Sequence, residues 1–129
     1  MPSLAGESGT SLAGRRILVV EDEYFLADDM VRALATLGAE IVGPSDTAAS
    51  ALELVQSGLP IDGAVLDINL HGETSLAVAS ELRARKVPFV FATGYDQRGI
   101  PPEFADVPRW EKPFDPALLA RKMPSLLDH

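Results

Sequence analysis

Glu21-Asp22, Asp67 and Lys112-Pro113-Phe114 bring three carboxylates and an ammonium into one chain, each after a stretch that reads as a buried strand. The runs are Ile17-Leu18-Val19-Val20 before the acidic pair and Gly63-Ala64-Val65-Leu66 before Asp67, and a further run from Val87 to Ala92 delivers the hydroxyl of Thr93. In an open parallel sheet, side chains at the carboxyl ends of different strands converge on one crevice. The chemistry such a crevice suits is phosphoryl transfer. A phosphorus that already carries negative charge accepts a carboxylate nucleophile only where that charge is neutralised, and a divalent cation on hard oxygen ligands does this best. Lys112 as a point charge and Thr93 as a hydrogen-bond donor would hold the equatorial oxygens. An ionised Asp67 needs no general base.

Each piece alone is ordinary. Glu21-Asp22-Glu23 also suits the acidic first turn of a helix, Asp67 a strand-ending turn, and Thr93-Gly94 and Lys112-Pro113 plain strand ends. Their joint placement at strand ends is what points to a site.

The elements that must position these residues follow from periodicity. Phe25, Leu26, Met30, Val31, Leu34 and Leu37 fall at helical spacing before Gly38, predicting a helix from about Glu23 to Leu37. Glu40 to Gly43 reads as a short strand closed by Pro44, and Thr47 caps a helix carrying Ala51, Leu52, Leu54 and Val55 up to Gly58. The Asp67 strand, a helix with Leu76, Val78, Ala79 and Leu82, and the Thr93 strand repeat the pattern. Strands alternating with helices of this length form a parallel sheet with right-handed crossovers. Beyond Thr93, Gly94, Gly99, Pro101, Pro102 and Pro108 leave room for at most a short, irregular helix. Asp115 and Pro116 start a last helix, which Pro124 is expected to kink or shorten. Residues 1–14, rich in Ser, Gly and Ala, read as a flexible leader before a single domain at 15–129.

The whole chain narrows the function classes. Its 129 residues suffice for one core but not for a further effector domain. A net charge of −8 argues against a nucleic-acid backbone as ligand and favours a cation and a protein partner. No apolar run reaches the ~20 residues of a membrane span, and the start lacks a secretory pattern. The absence of cysteine excludes disulfide and thiolate chemistry and fits a reducing cytoplasm.

From Arg16 to Phe114 the chain resembles the receiver domain of bacterial two-component response regulators. The acidic pair matches Glu21 and Asp22, the phosphoacceptor Asp67, the Thr or Ser after the fourth strand Thr93, and the Lys-Pro after the fifth Lys112 and Pro113. Phe91-Ala92-Thr93-Gly94-Tyr95, followed by Ile100-Pro101-Pro102-Glu103-Phe104, is similar to the signature of the single-domain FAT GUY subgroup. The resemblance implies a doubly wound (βα)5 flavodoxin-like sheet of order 2-1-3-4-5 and a lone, monomeric regulator. It would not be a turnover enzyme, but would take a phosphoryl group from a sensor histidine kinase and signal to a downstream protein or phosphotransferase. Mg²⁺ is the implied cofactor. Asp22 and Asp67 are expected as direct ligands, Glu21 through a water, and the Asn69 backbone carbonyl, by resemblance, as a further ligand.

Two departures bear on the switch. The position three residues before the lysine, aromatic in usual receivers, is Arg109 with Trp110 beside it, and the Asp67 loop continues into His71-Gly72 where many receivers have a proline. Burying a guanidinium costs several kcal/mol unless it is paired. Tyr95, with Phe104 and the segment from Asp96 to Pro108, is therefore expected as the phosphorylation-sensitive partner surface. Two rivals stand beside this reading: a receiver-shaped adaptor that works without phosphorylation, and an aspartyl phosphohydrolase of the haloacid dehalogenase type. The latter wants a second aspartate where this chain has Asn69.

Overall fold

The computed structural model describes residues 11–94 and 100–127. Its centre is three strands, β1 (Arg16–Val20), β3 (Gly63–Asp67) and β6 (Phe89–Thr93), nearly every residue of which is buried. Near-continuous apolar runs are what a parallel sheet covered on both faces requires. The less buried β2 (Glu40–Ser45) and β7 (Arg109–Glu111) close the two edges, giving the order β2-β1-β3-β6-β7 with every neighbouring pair parallel. This is the expected flavodoxin-like order, with β6 and β7 as the fourth and fifth strands of the main sheet.

Because successive strand side chains point to opposite faces, β1 divides itself between two cores. Ile17 and Val19 pack with Met30, Leu34, Leu119 and Met123, while Leu18 and Val20 pack with Val42, Val55, Val78, Leu82 and Phe91. The first layer is supplied by α1 (Tyr24–Thr36) and α4 (Pro116–Leu127), the second by α2 (Ala48–Gln56) and α3 (Leu76–Ala84). Thr47 caps α2 as expected, its hydroxyl accepting from the Ser50 N–H at 3.1 Å. Asp115 opens α4 by accepting from the Ala117 N–H at 3.0 Å.

Three expectations need correction. The expected leader ends too late: Leu12 is fully buried, and its N–H donates to the Leu37 carbonyl at 2.8 Å. Residues 11–14 thus belong to the domain, and Gly38 is part of the reason. Its φ is +101°, and a Cβ there would lie 2.9 Å from the Ala13 Cα. Pro124 does not end the last helix, which continues to Leu127 with Pro124 itself buried. Between Asp67 and α3 the chain forms a small antiparallel ladder, β4 (Asn69–Leu70) with β5 (Glu73–Thr74), where only a loop was expected. Its two-residue turn is His71-Gly72, with φ of 51° and 90°. A type I′ hairpin turn needs positive φ at both central residues, and Gly supplies one of them without strain.

Between β6 and β7 the described residues hold only the 3-10 turn Pro102–Phe104, in keeping with the expected irregular helix.

Candidate functional site

The carboxyl edge of the sheet gathers the residues named above. Glu21 and Asp22 follow β1 directly, Asp67 and Thr93 are the last residues of β3 and β6, and Lys112 follows β7. Asp67 is paired with Ala92 across the sheet, so Thr93 stands one residue farther toward the edge on the neighbouring strand. The Thr93 carbonyl accepts from the Lys112 N–H at 2.7 Å, which ties the hydroxyl-bearing and lysine-bearing segments together.

Lys112 is the centre of the charge arrangement. Its Nζ lies 3.0 Å from Glu21 Oε2 and 3.0 Å from Asp67 Oδ2, and it is closer still to Glu23 Oε2. Burial works against the ammonium, but the hydrogen bonds it donates to Glu23, Asp67 and Glu21 outweigh it, so the Lys112 pKa is raised and the side chain stays charged. Glu21 is only 2% exposed, and burial, followed by the neighbouring Asp67 carboxylate, pushes its pKa up to about 8 against the opposing pull of Lys112. Asp67 is raised as well, again chiefly by burial, with Glu21, Lys112 and the Asn69 N–H pulling it back down. Burial thus pushes both carboxyls of this crowded pair toward their protonated forms, and Lys112 opposes the shift.

Backbone contacts fix the position of Asp67. Asp67 Oδ1 accepts from the Asn69 N–H at 3.2 Å, and the buried Ser75 hydroxyl donates to the Asp67 carbonyl at 2.6 Å. Asn69 Oδ1 in turn accepts from the Gly72 N–H at 3.0 Å, and Glu73 Oε1 from the Ala48 N–H at 3.1 Å, so the β4–β5 hairpin is pinned to its own strand and to α2. Asp22 Oδ2 accepts from the His71 N–H at 2.9 Å, and the His71 Nδ1 lies 3.4 Å from the same oxygen. The open cleft above these groups is lined by Asp22, Glu23, Asp67, Asn69, His71, Gly72, Gly94 and Lys112.

The donor set fits a hard dication. Glu21, Asp22, Glu23 and Asp67 each offer an oxygen within 4.8 Å of the others, and the buried Glu21 Oε1 has no hydrogen-bond partner. An orphaned carboxylate oxygen in a low-dielectric pocket is costly unless a proton or a cation meets it.

The structure thus brings Glu21, Asp22, Asp67, Asn69, Thr93 and Lys112 to one edge. Tyr95 lies outside the described residues. Phe104, expected on the partner surface, is instead 2% exposed and stacked edge-on against Phe89 and Phe91. The Arg83 guanidinium covers its ring at 5.2 Å while binding the Glu103 carbonyl and the Asp106 carboxylate. These contacts tie residues 103–106 to α3. Arg109 is exposed, in keeping with a guanidinium that does not enter the core, whereas Trp110 is half-buried and packs edge-on to Phe114 at 6.0 Å. Sequence reasoning missed the contacts of Glu23 and Ser75. Glu23 was legible as the third acid of a run of three; Ser75 carried no signal, because only the hairpin brings it under Asp67.

No protein-family model matches the sequence. The chain is similar to SdrG from Sphingomonas melonis Fr1, with 41% identity over 85% of this chain and 94% of that one and a TM-score of 0.73. The BeF3-activated conformation of SdrG from Pseudomonas melonis Fr1 matches at 43% identity, over 89% of this chain and 98% of that one, with a TM-score of 0.71. A response regulator receiver protein from Sinorhizobium medicae WSM419 matches at 31% identity and a TM-score of 0.76, over 92% and 98% of the two chains. The transcriptional regulatory protein PdtaR of Mycobacterium tuberculosis is 31% identical over 87 residues, which is 67% of this chain and 42% of that protein. The chain thus spans less than half the length of this curated relative.

Proposed function

The chain belongs to the response-regulator receiver family, and from that premise we propose that it is a phosphoryl acceptor whose nucleophile is Asp67. One observation carries the reading: a charged lysine is held 3.0 Å from a buried carboxylate that sits among further acids at the carboxyl edge of the sheet. In the reaction, an Asp67 carboxylate oxygen bonds to phosphorus as the donor's P–N bond breaks. The departing imidazole of a phosphohistidine keeps the electron pair and takes up a proton. Mg²⁺, held by Glu21, Asp22 and Asp67 with the Asn69 carbonyl, would neutralise the negative charge that gathers on the phosphoryl group. Lys112 binds one equatorial oxygen and the Thr93 hydroxyl donates to another. Water later hydrolyses the aspartyl phosphate, so the chain is a reversible switch and not a turnover enzyme.

The donor is a sensor histidine kinase in the cytoplasm, and the readout is contact with a downstream protein or phosphotransferase. The net charge of −8 supports a protein partner over nucleic acid. Among the described residues no helix is long and apolar enough to cross a membrane. The existence of a BeF3-activated conformation of SdrG supports phosphorylation-dependent switching over a passive adaptor. With Phe104 buried, Tyr95 and the residues between Gly94 and Pro101 carry the change that Thr93 initiates.

Incubation with acetyl phosphate and with a panel of purified histidine kinases tests the reading. Label should enter wild type and not Asp67→Asn; equal labelling of the two would assign the nucleophile elsewhere, and no labelling of either from any donor would favour the adaptor.

A further inference from the structure

We propose that Glu23 is a positioning residue that competes with the incoming phosphoryl group for Lys112, and so sets how readily this receiver is activated. The inference rests on the phosphoacceptor reading of Asp67. An ammonium has three N–H donors, and those of Lys112 are directed at three carboxylates, Glu21, Glu23 and Asp67. A phosphoryl oxygen can be bound only when one of these pairs opens. The Glu21 and Asp67 carboxylates are almost fully buried and belong to the floor of the site, whereas the Glu23 side chain is 60% exposed at the N-cap position of α1. Glu23 is the partner that can leave at low cost, because its carboxylate regains water as it lets go.

The backbone keeps Glu23 at hand even so. Its N–H donates to Glu21 Oε2 at 3.2 Å, so the Glu21 carboxylate that binds Lys112 also fixes the start of α1. Glu23 therefore helps hold Lys112 among the acids of the site and opposes its reorientation toward the phosphoryl group that replaces the Asp67 carboxylate charge. Removing the Glu23 contact should shift the equilibrium toward the occupied state. An exposed ion pair is worth little, and its loss corresponds to about a threefold change in affinity.

Beryllofluoride, which stands in for a phosphoryl group on the aspartate, provides the probe. Wild type, Glu23→Gln and Glu23→Asp are titrated at fixed Mg²⁺ and followed by amide shifts of Lys112 and its neighbours. Glu23→Gln should bind about threefold more tightly than wild type. Glu23→Asp keeps the charge at the cleft mouth but is one methylene too short to reach Nζ, so it should tighten binding as well. Wild-type affinity in Glu23→Gln overturns the competition, and wild-type affinity in Glu23→Asp alone reassigns the effect to charge at the mouth. Weaker binding in Glu23→Gln would make Glu23 a cation ligand and refute the proposal with the opposite sign. If wild type binds beryllofluoride no better than Asp67→Asn, the phosphoacceptor premise itself fails, a result distinguishable from the others because no substitution of Glu23 is needed to see it.

Discussion

Replacing Glu21 by Gln should remove a pH dependence of stability that the site builds into the cation-free protein. Burial and the Asp67 carboxylate raise the Glu21 pKa from 4.5 to about 8. A carboxyl group whose folded pKa lies above its unfolded value binds more protons in the folded state. Its contribution to stability is complete below about pH 4.5 and is lost as pH rises toward about 8. The full shift corresponds to about 5 kcal/mol at ~1.4 kcal/mol per unit. The effective dielectric of a folded protein is well above that of a dry interior and screens much of this, leaving about 1–2 kcal/mol as the expected loss between pH 5 and 8. Gln mimics the protonated acid, retains an acceptor for Lys112 and cannot ionise. In EDTA, urea denaturation of wild type should therefore show stability falling from pH 5.5 to 8.5 relative to Glu21→Gln, the variant being about 1–2 kcal/mol more stable at the upper end. Millimolar Mg²⁺ should raise wild-type stability at pH 8, because it binds only the folded state, and should help Glu21→Gln much less. Parallel pH profiles for the two proteins in EDTA, or equal Mg²⁺ stabilisation of both, would refute the raised Glu21 pKa.

Asp67→Asn should abolish phosphoryl acceptance yet leave the cation-free fold intact and about 1 kcal/mol more stable, since it relieves a crowded acidic site; labelling and thermal melts check both. Ser75→Ala leaves a buried carbonyl without its donor and should cost about 1–3 kcal/mol, while slowing acceptance from acetyl phosphate because the Asp67 backbone loses its anchor. Leu12→Ala should cost about 2–5 kcal/mol by chemical denaturation, as for other buried leucines, which a flexible leader would not. Tyr95→Ala should keep acceptance at Asp67 but lose the beryllofluoride-induced amide shifts between Gly94 and Pro101.

The parts of the fold that the sequence announced are those in which a local pattern has one solution. Ile17 to Val20 and Gly63 to Leu66 are uninterrupted apolar runs, and a chain can satisfy both faces of such strands only by covering them with helices. Thr47 before its helix supplies a hydroxyl to an end that otherwise lacks a partner for its N–H groups. Pro124 shows the limit of a local rule. Its missing N–H weakens α4, yet its burial in the helix's packed face maintains the helix to Leu127.

What the sequence by itself determined was the chemistry at each strand end: which positions carry carboxylate, hydroxyl and ammonium, because residue type and the end of an apolar run are both written locally. Only the tertiary structure decided how these groups share charge. Lys112 lies 91 residues from Glu21 and 45 from Asp67, and the distances that give it three carboxylate partners are set by the order and register of the strands. The same holds for Ser75 beneath Asp67, for Leu12 in the core and for Phe104 under Arg83. Each depends on a contact between segments that carry no mutual signal in the chain, and burial, which raises the Glu21 and Asp67 pKa values, exists only once those segments have packed.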